Sequence, residues 1–138
     1  MSVVVAGDAC RTVTPNGVMT KLASPTQGRA GQAMWRVEAK PGMEGPVHAF
    51  DAEVVWTWLD GAGVVELGGG RYEVAAGDTM VLPADVSRQM FADPVLGFVS
   101  IVVGPPGIQV YNPDGVSDPD ACDLAPKGTE RTVPPWVR

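Results

Sequence analysis

A single histidine, His48, is the one side chain in this 138-residue chain whose ordinary pKa puts a proton in play near neutral pH. It sits in the segment from Gly42 to Gly61, with Glu53 shortly downstream. An imidazole there can act as general acid or base, and a nearby carboxylate can orient it. Arg88, on a later segment, could hold an anion or stabilise negative charge as it develops on a substrate. Cys10 and Cys122 stand near opposite ends of the chain and away from other ligand residues, which argues against a zinc site. In a cytoplasmic protein both are expected as free thiols.

The elements that must position these groups read as strands. Seventeen glycines and thirteen prolines fall without a period, as in a chain of short strands and many turns. Residues 13–22 read as a turn at Pro15-Asn16-Gly17 leading into a strand. Residues 32–40 alternate, with Ala33, Trp35, Val37 and Ala39 on one face and Met34, Arg36 and Glu38 on the other. Val54–Leu59 is rich in β-branched and aromatic residues, and Asp60-Gly61 after it is a hairpin signal. Residues 63–67 pair with 71–75 across three glycines, and strands at 78–82, 86–91 and 97–103 follow at the spacing of a sandwich or barrel. Beyond a short strand at 108–111, residues 112–138 are turn-rich, an irregular tail in which Val133–Trp136 is expected to dock and 119–124 allows a short helix.

Composition narrows the partners. A hydrophobic content of 45% suits one compact domain, and a net charge of −6 leaves no basic stripe for nucleic acid. No apolar run reaches bilayer length, and the first residues do not read as a signal peptide, so a cytoplasmic protein without membrane contact is expected.

The spacing of these residues resembles the cupins. The first cupin motif is Gly, five residues, His-x-His, three or four residues, Glu, six residues, Gly; Gly42, His48 and Gly61 reproduce its frame. The second is Gly, five residues, Pro-x-Gly, two residues, His, three residues, Asn; Gly77 and Pro83 match it, with Asp85, Arg88 and Ala92 at the later positions. Fifteen residues separate Gly61 from Gly77, as in small bacterial cupins. The resemblance implies an all-β fold, a cupin-type antiparallel β-barrel or jelly roll, with the barrel over 16–111 and the tail over 112–138. It also implies a homodimer.

Cupins that hold a metal do so through both histidines and the glutamate of the first motif and the histidine of the second. Those positions here read His48, Phe50, Val54 and Arg88, and Glu53 is displaced by one residue. One ligand cannot hold a catalytic metal, and a guanidinium beside it would repel one, so no metal and no other cofactor is expected. Period two puts Phe50, Val54, Trp56 and Trp58 in phase with His48, and Arg88 in phase with Met90. With Trp35, they would line an aromatic pocket for a hydrophobic small molecule. Within the cupins the layout is similar to polyketide cyclases: an early Pro-Asn-Gly turn, Trp56 before Gly61, and a closing Pro-Pro-Trp136. The leading expectation is a metal-independent enzyme of secondary metabolism that cyclises, isomerises or dehydrates a carbonyl-bearing intermediate. His48 would move the proton, Glu53 would orient it and Arg88 would stabilise the anion. The alternatives are a non-catalytic binding cupin, and a metal-dependent oxygenase using His48 and Glu53.

Overall fold

The computed structural model describes residues 2–115 and 129–138; Cys122 and the possible helix over 119–124 lie outside the described residues. Cys10 is exposed and free. The described chain folds into ten strands: β1 (Arg11–Thr14), β2 (Gly17–Ala23), β3 (Ala33–Ala39), β4 (Ala49–Phe50), β5 (Val54–Leu67), β6 (Gly70–Ala75), β7 (Thr79–Leu82), β8 (Arg88–Ala92), β9 (Phe98–Gly104) and β10 (Val110–Tyr111). All pair antiparallel, in the order β1-β2-β3-β9-β5-β6, with β7 and β8 also on β5, and β4 pairs β10 separately. No described helix is long and apolar enough to cross a membrane. β1 starts ahead of the expected barrel boundary at 16. It forms a hairpin with β2 whose turn is held by Thr14, its hydroxyl oxygen accepting from the Asn16 and Gly17 amides.

β5 joins the two halves of the barrel. Its first part, Val54–Thr57, lies against β7, with β9 on the other side; its second part, Gly63–Leu67, lies against β8, with β6 on the other side. The hairpin expected at Asp60-Gly61 is therefore a bend within one continuous strand. The register against β9 slips between Trp58 and Asp60, a bulge that lets the strand change direction without ending. Gly61 sits at φ +77°, and a Cβ there would come within 2.0 Å of the Gly97 carbonyl oxygen. Asp-Gly signals a positive φ, which serves a bulge as well as a turn.

Alternation then sorts the side chains. Ala33, Trp35, Val37 and Ala39 of β3, Val54, Trp56 and Trp58 of β5, Met90 and Ala92 of β8, and Phe98 and Val102 of β9 fill the interior. On the outer face Val81, Val55, Val103 and Met34 stand in one cross-strand row, with Val81 55% exposed. The last segment docks as expected. Thr132 and Val110 exchange main-chain hydrogen bonds, Val137 is fully buried, and the Ser24 and Thr26 hydroxyls donate to the Arg138 main-chain oxygen.

The bend generates a stability prediction. Gly61→Ala must hold an alanine at positive φ and displace the Gly97 carbonyl, so it should lower unfolding free energy by about 2 kcal/mol or more. Urea denaturation of the two proteins measures this; an unchanged midpoint would contradict the bend as drawn.

Candidate functional site

The segment after β3 turns at Pro41-Gly42 and then runs alongside β8. The Gly45 amide donates to the Met90 carbonyl, the Ala92 amide donates to the Met43 carbonyl, and His48 and Arg88 exchange two main-chain hydrogen bonds of 3.0 and 2.8 Å. Residues that exchange both bonds across an antiparallel pair are direct neighbours with side chains on the same face. The histidine of the first motif and the arginine of the second are thus brought together by backbone pairing alone. Asp85, at the position of the motif's glycine, has φ +61°, which explains why glycine suits that position; aspartate tolerates the left-handed region better than most residues.

His48 has one defined partner. Its Nδ1 lies 2.8 Å from the Pro46 carbonyl oxygen, which can only accept, so Nδ1 carries the proton. In the neutral ring Nε2 is then the basic nitrogen. Burial lowers the pKa to about 4; the Pro46 bond opposes that shift and the Arg88 charge adds to it. The imidazole meets Phe50 edge-on, with centroids 5.5 Å apart.

Arg88 is 1% exposed and lies off the cavity that His48 lines. Its Nη2 donates to the Pro83 carbonyl at 2.9 Å, its Cζ is 5.5 Å from the Phe50 centroid, and Nη1 is buried without a partner among the described residues. Burial lowers its pKa to about 10, with Tyr111 acting in the other direction, so it remains a cation at neutral pH. Asp85, the nearest acid in sequence, is engaged elsewhere: it accepts the Tyr111 hydroxyl at 2.6 Å and lies 4.0 Å from Arg131, which also covers the Tyr111 ring. That hydrogen bond raises the Tyr111 pKa above its ordinary value.

The cavity has a volume of about 110 Å3 and almost wholly apolar walls. Of the residues expected around it, His48, Phe50, Trp35, Trp56 and Met90 line it. Val54 and Trp58 belong to the surrounding core instead, in phase with the pocket but outside its wall. Glu53 is exposed while its neighbour Val54 is fully buried, so it faces away from the interior and the orienting role falls to the Pro46 carbonyl. The reason is the period of two: displacement by one residue moves a strand side chain to the other face. Met19, Phe98 and Trp136 also line the cavity. Trp136 carried a sequence signal, beside two prolines in a tail expected to dock. Phe98 and Met19 could be placed only once their strands were paired.

This donor set does not fit a metal ion. The motif positions present one imidazole, two apolar side chains and a guanidinium, and no group of three His, Cys, Asp or Glu converges among the described residues. A pairing of His48 with Glu53 on a metal is not available, since Glu53 points outward.

The fold matches solved cupins. A polyketide cyclase, RemF, from Streptomyces resistomycificus superimposes with a TM-score of 0.67 at 20% identity, covering 78% of this chain and 83% of its own. An RmlC-like cupin from Shewanella frigidimarina gives 0.64 at 18%, covering 78% and 93%. KdgF from a Halomonas species gives 0.63 at 19%, covering 76% and 94%. No family model matches the chain, and neither does any curated protein. The chain therefore has the cupin fold, a curled antiparallel β structure, and its chemistry has to be argued from its own residues.

As the only histidine, His48 gives a single imidazole signal by NMR, expected to titrate near pH 4. Removing the neighbouring cation in Arg88→Met should raise that pKa. Because the unfolded chain binds the proton near pH 6.5 and the folded one only near 4, His48 should reduce stability as pH falls through that window, by on the order of 3 kcal/mol in total. Denaturation from pH 7 to 4, compared with His48→Gln, isolates this contribution. A histidine titrating at 6.5 would refute the burial argument.

Proposed function

We propose that this chain is a metal-independent cupin-type enzyme that moves a proton on a hydrophobic, carbonyl-bearing small molecule and so isomerises, cyclises or dehydrates it, with His48 as the acid–base group. The observation that carries this reading is the tautomer of His48: Nδ1–H is committed to Pro46, so the imidazole on an apolar cavity wall has Nε2 as its open nitrogen. The likeness to a polyketide cyclase supports the same class of chemistry. Metal independence rests on the donor set, and a homodimer through the outer row of Val55 and Val81 accompanies the proposal.

A base whose conjugate acid has a pKa of about 4 is unprotonated throughout the physiological range, but it is weak. It suits a substrate that brings its own acidity, such as a carbon between a carbonyl and an alkene. Nε2 takes that α-proton, the carbonyl oxygen gains the charge as an enolate, and the imidazolium returns the proton at the far end of the conjugated system. For dehydration, the proton goes to a leaving hydroxyl. Arg88 lies off the cavity, so it acts on the enolate only through its field. Weak basicity equally favours a second reading, a ligand-binding cupin without turnover, which shares the cavity and lacks the rate.

A simple ketone tests the enzymatic reading. Isomerisation of cyclohex-3-enone to cyclohex-2-enone, followed by absorbance, should be accelerated by the protein and slowed about 100- to 10,000-fold in His48→Gln. Activity should be flat above about pH 5 and fall as His48 protonates near pH 4. EDTA should leave the rate unchanged. Equal rates for wild type and variant would favour the binding module, and stoichiometric iron, manganese or zinc in chelator-free protein would overturn metal independence.

A further inference from the structure

We infer that the cavity takes a neutral, single-ring molecule bearing an enol or phenol hydroxyl, which donates its hydrogen to His48 Nε2. This names the ligand class for the site described above and rests on that reading only for the use made of the bound proton.

Size sets the first limit. A cavity of about 110 Å3 is somewhat smaller than the roughly 150 Å3 apolar cavity that accepts benzene, so one ring with a small substituent suits it. The walls set the shape. Trp35 and Phe50 lie tilted at 51° with centroids 6.1 Å apart, and Trp56 stacks on Trp58 at 5.7 Å. Flat aromatic faces favour a flat guest.

Charge sets the second limit. No cation lines the cavity, because the Arg88 guanidinium is directed to the Pro83 and Val86 carbonyls behind Phe50, so a carboxylate would be desolvated without a counter-charge. A cationic guest would face the Arg88 field already felt at His48. Glu38 lines the cavity, but its carboxylate pairs with Arg36 at 3.2 Å and is 37% exposed.

The polar atoms set the third limit. Thr14 completes its hydrogen bonds within the β1–β2 turn. His48 Nε2, left open by the Pro46 bond, is the acceptor on this apolar wall, and Asn16 adds a half-buried side-chain amide to the lining. A hydroxyl conjugated to a ring matches this acceptor, since it donates strongly. A saturated hydrocarbon would leave Nε2 unpaired, at a cost typical of buried polar groups.

Four probes on one ring skeleton test the inference by titration calorimetry at pH 7: phenol, toluene, benzoate and benzylammonium. Phenol should bind about three- to tenfold more tightly than toluene, and both ions at least about tenfold more weakly than phenol. Phenol, and not toluene, should shift the His48 Nε2 nitrogen resonance. In His48→Leu the margin of phenol over toluene should vanish while toluene binding persists. Either ion matching phenol, or a phenol margin that survives in His48→Leu, overturns the inference. The wild-type ranking and the resonance shift decide it even if the variant fails to fold. The predicted ranking without ketone isomerisation would remove the enzymatic reading and uphold this one; isomerisation without the ranking would do the reverse.

Discussion

The barrel depends on one strand being able to belong to two sheets. β5 spends its first residues between β7 and β9 and its last between β6 and β8. It can do so because Gly61 accepts a positive φ where the Gly97 carbonyl leaves no room for a side chain. A strand that ended there would leave two smaller sheets with open edges and no enclosed interior. Because it bends instead, Trp56 and Trp58 before the bend and Val65 after it are buried in one interior. The cavity is a consequence of that continuity.

A second constraint is electrostatic. Burying Arg88 with main-chain carbonyls and an aromatic face in place of a carboxylate is costly, and its lowered pKa registers that cost. Its position opposite His48 is set by two backbone hydrogen bonds. The arginine therefore acts on the imidazole through space, helping to hold it neutral, and does not meet a ligand itself. At the histidine position of the second motif this chain carries a cation, which adds to the burial that keeps the one histidine uncharged. The same side chain thus disfavours a metal and, secondarily to burial, favours a free lone pair on His48.

Much of this was readable from residue order. The Gly42–His48–Gly61 and Gly77–Pro83 spacings implied the fold, and alternation placed Trp35, Phe50, Trp56 and Met90 on the inside. Glu53, expected to orient His48, is instead exposed, because a displacement of one residue turns a strand side chain to the other face. Among the expectations that needed correction, two show where local sequence falls short. Asp60-Gly61 signals a positive φ, and local sequence cannot say whether that φ serves a turn or a bulge. Arg88 has the inward phase of Met90, but a guanidinium on a long stem can reach carbonyls at the strand's end, so phase did not fix where its charge would lie.

By itself, the sequence determined the alternation of faces, the positions needing left-handed backbone and the absence of a cupin metal-ligand set, because each depends on a residue and its near neighbours. Tertiary structure alone decided which in-phase residues reach the cavity and which stop in the core, that Pro46 orients His48, and that Trp136 lines the cavity. These depend on pairing between distant segments: β8 against the His48 segment, and residues 129–138 against β10. The chemistry lies in the second group, because a proton's affinity is set by everything that surrounds the nitrogen holding it.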